Sequence, residues 1–404
     1  MTKRIRLLWI AAMLLVSMLL PTYSAEAASK PTYTISPTSK TYKNNMMNFS
    51  TYNSYTKHYY LLRSYLEELE KKGGGTLVLK KGTYTISNTL YVPSNVTIKM
   101  KDGVKLVKGK KTGTNQFVAA KSMFQLIRPS KSSKKGVYGK YNGEKNISFI
   151  GEGNVTVDLK YIEDSIAIIM GHNKNIKVEN IHFKNMFSGH FIEMDASDHV
   201  MIRKNTFIDS KVSKNVNKEA INIDTPDRTT LGWSQTWSKF DKTANKHITI
   251  ENNTFKNLDR AIGTHKYSGA KYHDKVVIQK NNIEKTRSDA IRVMNWSDAQ
   301  IINNTIKNVE NGEPGTRGIL ASGAKNPTFK NNTFQKVGRP VQFTTWKNAG
   351  PGSQYDITYN VLSKKNKQDL SKNLAINTAE NFIRINNKYN EYILYTEKIY
   401  LVSK

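Results

Sequence analysis

The sequence contains no cysteine in 404 residues. A disulfide framework is therefore excluded, and a chain of this size must depend on a large apolar core or on repeated hydrogen bonding. An exported protein without cysteine is typical of a Gram-positive bacterium, and the first residues of this chain do predict export.

Acidic residues are scarce relative to basic ones. There are 32 Asp and Glu against 62 Lys and Arg, which gives a formal net charge of +30. A surface of that sign concentrates polyanions and repels polycations. Outside a cell the polyanions would be acidic polysaccharide, teichoic-type wall polymer or extracellular DNA. The lysines would equally keep a long protein soluble and adsorb it to an anionic wall, so charge alone identifies no substrate.

Long apolar runs are absent after the first residues. Leu7–Leu20 follows Lys3, Arg4 and Arg6 and precedes the small-x-small motif Ala25-Glu26-Ala27. The run is shorter than the roughly 20 residues that span a bilayer. We therefore predict a signal peptide over residues 1–27, no membrane span, and a secreted protein that is either free or wall-associated.

The chain does contain a repeat built around asparagine. An apolar residue, two positions, Asn, one position and then Phe or Ile recur around Asn205, Asn253, Asn281, Asn304 and Asn332. Periods of this length are typical of solenoids. Short alternating strands and little helical pattern predict an all-β protein, a right-handed parallel β-helix. Each asparagine amide is expected to bond to its equivalent one coil away, forming a ladder at a bend.

Strand-like segments lie between these repeats, and their side chains should alternate between core and outside. The segments are Phe191–Asp195, Ala220–Asp224, Ala261–His265, Ala290–Met294, Gly318–Ser322 and Pro340–Thr344. Their second and fourth positions are almost entirely apolar. Aligned, the outward positions form one column of Glu193, Asn222, Gly263, Arg292, Leu320 and Gln342, and another of Asp195, Asp224, His265, Met294, Ser322 and Thr344.

The remaining segments predict the ends and loops of the solenoid. A capping helix is expected over 57–72, after an N-terminal extension over 28–56, because an uncapped coil exposes core and strand edges. The β-helix domain is predicted over 57–387, with loop insertions at 108–145 and 225–246. Residues 388–404 are expected to form a C-terminal cap or tail.

The two columns bring acidic side chains together. Neighbouring coils stack about 4.8 Å apart, so Asp195 and Asp224 should face each other with Glu193 beside them and Glu219 close by. Carboxyls this close do not all ionise readily, and one is expected to keep a proton near neutral pH. Such a group can cleave a glycosidic bond: one carboxyl protonates the leaving oxygen while another activates water or attacks the sugar.

Substrate contacts are predicted on the neighbouring coils. His265 would orient the acids, and Arg292 would pair with a carboxylate or phosphate of the substrate through its planar guanidinium. Gly263 would leave room for a sugar ring between them. Two tryptophans on the insertion would form an apolar wall against that ring. The further substrate-binding candidates are Asn222, Trp233, Trp237 and Tyr267.

The same acids would suit a calcium ion. Oxygen ligands from Glu193, Asp195 and Asp224 match the donors that Ca²⁺ prefers. With Ca²⁺ neutralising a uronate and a base removing its α-proton, the enzyme would be a lyase, and Arg292 is the main basic residue on this face. Hydrolysis by the carboxyl groups would need no cofactor and no metal.

Two segments at the start of the repeats, Gly73–Tyr84 and Leu90–Ile98, resemble the opening coil of the pectin-lyase-like β-helix superfamily. The likeness is greatest to the polygalacturonase-like glycoside hydrolases of family 28. That resemblance implies a β-helix fold and cleavage of a polysaccharide.

The catalytic motifs of that family are matched in part. Ala290-Ile291-Arg292-Val293 resembles its Gly-Ile-Arg-Ile-Lys, which matches Arg292 to the substrate-binding arginine, while Met294 replaces the lysine. Glu219 keeps one carboxylate of the family's paired-aspartate motif. The family's Gly-His-Gly motif becomes Asp259-Arg260-Ala261 here, and His265 lies at the other end of the same strand segment.

Three functions remain open from the sequence. The leading hypothesis is a secreted glycoside hydrolase that degrades an acidic extracellular or cell-wall polysaccharide. The alternatives are a Ca²⁺-dependent polysaccharide lyase using the same face and a non-catalytic glycan- or wall-binding solenoid. The expected partner is an acidic polysaccharide, with an anionic cell wall as a further one; no nucleic acid is expected, and the protein should be a monomer.

Overall fold

The computed structural model describes residues 29–347, 357–391 and 396–403. The predicted signal peptide lies outside these residues, as does part of the predicted C-terminal tail. From Pro31 onward the described chain forms one compact unit.

Each coil passes through three sheet faces whose strands pair in parallel with the coils on either side, so the predicted right-handed parallel β-helix is confirmed. Face A contains β1 (Thr32–Ile35), β2 (Gly75–Leu79), β5 (Val96–Met100), β8 (Lys145–Gly151), β11 (Lys174–Glu179), β14 (Asp198–Arg203), β17 (Lys246–Glu251), β20 (His273–Gln279), β23 (Gln300–Ile302) and β26 (Thr328–Lys330). Face B contains β3 (Gly82–Ile86), β6 (Val104–Lys108), β9 (Thr156–Asp158), β12 (His182–Met186), β15 (Thr206–Ser210), β18 (Thr254–Leu258), β21 (Asn282–Thr286), β24 (Thr305–Val309), β27 (Thr333–Gln335), β29 (Leu374–Ile376) and β32 (Val402–Ser403).

Face C contains the segments that carry the acidic columns. Its strands are β4 (Leu90–Tyr91), β7 (Ser122–Gln125), β10 (Ile166–Gly171), β13 (His190–Asp195), β16 (Glu219–Asp224), β19 (Arg260–Gly263), β22 (Ile291–Ser297), β25 (Arg317–Lys325), β28 (Arg339–Phe343), β30 (Phe382–Asn386) and β31 (Thr396–Tyr400). The last pair differs from the rest, because β31 runs antiparallel to β30.

Helix α1 (Lys57–Lys71) caps the first coil as predicted, burying Leu61, Leu66 and Leu69. It stops where the Gly74 N–H donates to the carbonyl of Leu69 at 2.8 Å. A second helix, α2 (Lys364–Leu370), lies against β26. Short 3₁₀ turns occur at Tyr42–Asn44, Pro129–Lys131 and Glu310–Gly312. None of the helices in the described ranges is long and apolar enough to cross a membrane.

The boundaries differ from the sequence prediction in three places. The coils begin before residue 57, because β1 pairs in parallel with β2. The predicted insertion 108–145 contains β7, which pairs with both β4 and β10 and is therefore part of a coil. Helix α2 was not predicted, since its Lys- and Asn-rich sequence has little apolar periodicity.

A continuous asparagine ladder fixes the register of the coils. The side-chain oxygen of Asn253 accepts the backbone N–H of Asn205 at 2.9 Å, and the same contact recurs at each later step. The ladder runs through Asn205, Asn253, Asn281, Asn304, Asn332 and Asn373. Beside it the rings of Phe183, Phe207 and Phe255 stack with centroids 4.9 Å apart. The ladder amides also donate to backbone carbonyls, as Asn253 Nδ2 does to the Ile202 carbonyl at 3.0 Å, so a shift of one strand against its neighbours would leave several buried amides unpaired.

Candidate functional site

The acidic columns predicted from the sequence are present on face C. The strand pairings along the first column are Glu193 with Asn222, Asn222 with Gly263, Gly263 with Arg292, and Arg292 with Leu320. In the second column Asp195 pairs with Asp224. Acids that are distant along the chain therefore become neighbours on adjacent coils.

The three central acids are enclosed rather than open to solvent. Asp195 is 0% exposed, Asp224 1% and Glu193 7%. Neither carboxyl oxygen of Asp195 has a hydrogen-bond partner within the described ranges. Glu193 is thus the acid of the three that a ligand could reach most easily.

Asp224 is held in one orientation by its neighbours. Its Oδ1 accepts the backbone N–H groups of His265 and Lys266, both at 2.8 Å, and its Oδ2 accepts Asn222 Nδ2 at 3.0 Å. Two of these donors follow β19 directly, so the end of that strand positions the carboxyl. Asn222 was predicted to bind substrate, but its amide N–H donates a hydrogen bond to Asp224 instead.

Burial makes this group of acids retain protons. Burial, together with the charge of Asp224, raises the pKa of Glu193 to about 8. Burial also raises the pKa of Asp224 to about 7, although the hydrogen bonds from Lys266, Asn222 and His265 oppose it. The pKa of Asp195 lies well above its ordinary value because of burial and the charges of Glu193 and Asp224. At neutral pH the group therefore contains protonated carboxyls that can donate.

Glu219 belongs to a separate ion-paired cluster. Arg260, 2% exposed, donates from Nη1 to Glu219 Oε1 at 2.7 Å and from Nη2 to Asp289 Oδ2 at 3.3 Å. Burial raises the pKa of Glu219, but the charge of Arg260, together with His265, His190 and a backbone hydrogen bond, outweighs it and holds the pKa at about 2. Glu219, predicted to be one of the catalytic acids, therefore stays ionised and paired with Arg260 at neutral pH and has no proton to donate.

His265 lies between the two groups. Its Nδ1 is 3.9 Å from Glu219 Oε2, too far for a hydrogen bond, and its side chain is 22% exposed. Burial lowers the pKa of His265 to about 4 despite the charge of Glu219. The imidazole is therefore neutral at physiological pH, and its backbone N–H, rather than its ring, contacts Asp224.

Arg292 is a half-buried cation without an ion-pair partner among the described residues. Its guanidinium carbon lies 5.1 Å from the ring centroid of Trp346, which is 36% exposed. Burial, helped by the charge of Arg260, lowers the pKa of Arg292. An uncompensated guanidinium beside an exposed aromatic ring fits an anionic ligand.

Sequence reasoning missed Trp346, although a signal for it exists. The outward positions of the last aligned segment are Pro340, Gln342 and Thr344, and Trp346 is the next position of the same alternation. Extending the segment by two residues would have included it.

The insertion tryptophans do not form an open wall. Trp233 and Trp237 are 4% and 2% exposed and pack edge to face with ring centroids 5.3 Å apart. They cover Gly171, where an added Cβ would lie 2.7 Å from their ring atoms, and Gly171 pairs with Asp195. The insertion 225–246 thus folds back over earlier coils and covers Gly171, the strand partner of the buried Asp195.

Two other predicted contacts are also internal. Tyr267 is 1% exposed and packs with Met294. A Cβ on Gly263 would lie 3.0 Å from Arg292 Cβ and from the Arg292 carbonyl oxygen. The expected gap for a sugar ring is therefore filled by the protein itself, and the accessible part of the site lies towards Arg292 and Trp346.

Replacing Asp195 by Asn should stabilise the protein, and increasingly so as the pH rises. The folded-state pKa of this carboxyl is above its unfolded value, so wild-type stability falls as the pH rises from the unfolded towards the folded pKa. The Asn variant does not lose stability in this way. Its free energy of unfolding relative to the wild type should therefore increase by up to about 1.4 kcal/mol per pH unit above about pH 4. Urea unfolding of both proteins over this range measures the difference.

Asp209→Asn on face B is the matched control and should show no such growth. An advantage of Asp195→Asn that is independent of pH would mean that the carboxyl is ionised in the folded protein.

Comparisons with known proteins agree with this architecture. A family model described as right handed beta helix region matches residues 239–393. The plasmin and fibronectin-binding protein A of Streptococcus pneumoniae is 22% identical over 338 residues, which cover 78% of this chain and 41% of that protein. The chain therefore spans less than half the length of that relative.

Solved structures show the same fold at low identity. The surface protein and adhesin PfbA of Streptococcus pneumoniae superposes with a TM-score of 0.59 and 16% identity over 89% of this chain and 87% of that one. The family 28 exopolygalacturonase of Yersinia enterocolitica gives a TM-score of 0.50 and 12% identity over 81% and 68%. These similarities show that the chain shares the right-handed parallel β-helix fold with these proteins.

Proposed function

We propose that this chain, a right-handed parallel β-helix protein of the pectin-lyase-like superfamily, is a glycoside hydrolase that acts on an acidic polysaccharide at face C. The observation that supports this function is that carboxyls with raised pKa values and an arginine without an ion-pair partner among the described residues occur on the same face. On face C, Glu193 and Asp224, with pKa values of about 8 and about 7, lie three and two coils away from Arg292, whose guanidinium has no ion-pair partner among the described residues. General acid catalysis and recognition of an anionic sugar need those two features.

Glu193 is the proposed general acid. Its pKa of about 8 leaves it protonated at neutral pH, and it is the most exposed of the central acids. It would transfer its proton to the leaving glycosidic oxygen as the bond to the anomeric carbon breaks.

Asp224 is the proposed base or nucleophile. With a pKa of about 7, a substantial fraction of it is ionised at neutral pH. The two backbone N–H groups and Asn222 fix its direction, so its charge can accept a proton from water or attack the anomeric carbon. Asp195 would remain protonated, because burial and the charges of Glu193 and Asp224 raise its pKa.

Arg292 and Trp346 are the proposed substrate-binding pair. The guanidinium would bind the carboxylate of a uronate in a bidentate manner, while the exposed ring of Trp346 would pack against a sugar face. The excess of 62 basic over 32 acidic residues would concentrate an anionic polymer around the protein. We propose that it does so outside the cell, free or on an anionic wall.

A panel of acidic polysaccharides tests this function directly. We expect new reducing ends to appear from at least one polymer without the ultraviolet absorbance of an unsaturated uronate and without sensitivity to EDTA. Appearance of that absorbance together with EDTA sensitivity would instead support a lyase in which Glu193, Asp195 and Asp224 bind Ca²⁺.

A second function, polymer binding without cleavage, is favoured by one observation. The acids are nearly enclosed, whereas Arg292 and Trp346 are accessible, so recognition does not require the acids to be reached. Retention of an anionic glycan that weakens with salt, with no cleavage of any polymer, would establish binding in place of hydrolysis.

Arg292→Gln should raise KM for a uronate polymer by about 10- to 100-fold, with a smaller effect on kcat. A hydrogen-bonded charge pair contributes about 1.5–3 kcal/mol, and most of this interaction is formed on binding. Steady-state kinetics on the polymer and on its methyl-esterified form provide the measurement. The difference in KM between the wild type and Arg292→Gln should disappear on the esterified polymer, because it lacks the carboxylate.

Arg203→Gln on face A removes a similar charge away from the site and is the control. Equal effects of Arg292→Gln on the acidic and esterified polymers would contradict a role in carboxylate recognition.

A further inference from the structure

A row of residues with left-handed backbone conformation lies at the turn where each coil enters face A. Asn95, Asn146 and Asn175 occupy its first rungs with φ of 62°, 56° and 57°. Their amides connect in sequence, Asn146 Nδ2 to Asn95 Oδ1 at 2.8 Å and Asn175 Nδ2 to Asn146 Oδ1 at 2.7 Å. Asparagine therefore meets every requirement of this turn.

The next two rungs carry histidine instead of asparagine. The strand registers place His199 after Asn175 and His247 after His199, at φ of 56° and 52°. Histidine, like asparagine, is among the residue types that are enriched in left-handed backbone, so this turn accepts either one. Since asparagine satisfies the same turn in the preceding coils, the fold itself does not require two histidines here.

The two imidazoles meet at one buried carboxylate. His199 Nδ1 lies 2.6 Å and His247 Nδ1 3.0 Å from Asp198 Oδ1, and the ring centroids are 4.5 Å apart. Asp198 is 3% exposed in its side chain, while His199 and His247 are 57% and 36% exposed. The ligand atoms of the three residues all lie within 4.8 Å of one another.

We propose that Asp198, His199 and His247 bind a divalent transition-metal ion of the Zn²⁺, Ni²⁺ or Cu²⁺ class. Two imidazole nitrogens and one carboxylate oxygen are the donors that these ions prefer, at about 2.0–2.2 Å from the metal. Ca²⁺ and Mg²⁺ favour oxygen ligands and should bind poorly. Both histidines line a groove of about 960 Å³ on face A, so the open coordination positions of the ion would face that groove.

Nearby lysines limit the affinity of this site. Lys174 Nζ lies 3.8 Å and Lys246 Nζ 3.6 Å from Asp198 Oδ2, the oxygen that faces away from the histidines. They stabilise the carboxylate in the absence of metal and repel a cation. In the alternative arrangement the five residues are only a hydrogen-bonded cluster that neutralises Asp198, and this alternative predicts no selectivity for metal ions.

Calorimetric titration of the untagged full chain with ZnCl₂ and CaCl₂ separates the two cases. We expect one Zn²⁺ site, no Ca²⁺ site, and a loss of Zn²⁺ affinity of at least about tenfold in His199→Asn/His247→Asn. This double variant restores the residue that the same turn carries in neighbouring coils, so it should fold. His182→Asn, an exposed histidine on face B, is the matched control and should bind as the wild type does.

Two further measurements make the test specific. Lys174→Gln should bind Zn²⁺ several-fold more tightly, because it removes a repelling charge. Zn²⁺ should raise the Tm of the wild type but not of the double variant, and EDTA should reverse the increase. Absence of Zn²⁺ binding, or equal binding by the wild type and the folded double variant, would overturn the proposal.

Discussion

Replacing Glu193 by Gln should reduce polysaccharide cleavage by about 100- to 10,000-fold while making the protein more stable at alkaline pH. The amide cannot donate a proton to the leaving oxygen, so the chemical step loses its general acid. The stability gain has a separate cause. The folded-state pKa of about 8 lies above the unfolded value of about 4.3, so the wild type loses stability as the pH rises between them and the Gln variant does not.

The two opposite effects make this prediction specific to a catalytic acid. Cleavage rates near neutral pH and urea unfolding at about pH 5 and about pH 8 provide both measurements. Asp224→Asn should behave in the same way, because its folded-state pKa is also raised, to about 7. Glu284→Gln, a half-buried glutamate on face B, is the control and should change neither quantity.

Some outcomes would contradict the proposed chemistry. If both variants keep wild-type turnover, the acids on face C are not the catalytic groups. If activity falls only together with stability, Glu193 and Asp224 support the structure, and the accessible Arg292 and Trp346 would then indicate binding alone.

Arg260→Met should lower the free energy of unfolding by about 3–5 kcal/mol at neutral pH. The substitution leaves the carboxylate of Glu219, 0% exposed, without its cationic partner, and methionine supplies similar volume without charge. Breaking a buried ion pair by removing one partner has this cost because an uncompensated charge remains. Urea unfolding monitored by circular dichroism measures the change.

The pH dependence and two variants test the origin of that loss. Glu219 has a folded-state pKa of about 2, below its unfolded value of about 4.3, so the ion pair stabilises above about pH 4 and its contribution disappears as the pH falls towards 2. The deficit of Arg260→Met should shrink over the same range. Adding Glu219→Gln should restore part of the stability, because both charges are then absent.

Arg317→Met is the matched control for Arg260. Arg317 binds the same Asp289 at 2.7 Å, but its side chain is 29% exposed, and Asp289 would keep Arg260 as a partner. Its loss should be about 1 kcal/mol or less. Equal losses of unfolding free energy in Arg260→Met and Arg317→Met would show that the burial of the Glu219–Arg260 pair does not cause the larger predicted loss.

The fold and the order of the acidic columns could be predicted from the sequence because both depend on local regularities. The Asn repeats set the coil length, and the two-residue alternation of each strand sets which side chains share a face. Once coils stack in register, Glu193 must neighbour Asn222, and Asp195 must neighbour Asp224. These are consequences of backbone geometry that need no knowledge of the loops.

The accessibility of the site could not be predicted in that way. The alternation of apolar and polar residues along the strands does not predict in which direction an insertion folds. The insertion 225–246 turns back over Gly171, the strand partner of the buried Asp195. The direction of a loop is a tertiary property with no periodic signal. The partner of Glu219 was missed for a different reason. Arg260 lies one position before Ala261–His265, just as Glu219 lies one position before Ala220–Asp224, and the two residues pair on adjacent strands. Starting each aligned segment one residue earlier would have included the pair.

The reversed direction of β31 has a consequence for the behaviour of the protein at high concentration. Solenoids can join end to end when the last coil of one molecule offers matching edges to the first coil of another. Here face C ends in an antiparallel strand while face B ends in a parallel one, β32. An incoming coil, whose strands all follow one winding direction, would therefore have to pair in parallel with β32 and antiparallel with β31, which makes this pair of edges a poor match for the first coil of another molecule.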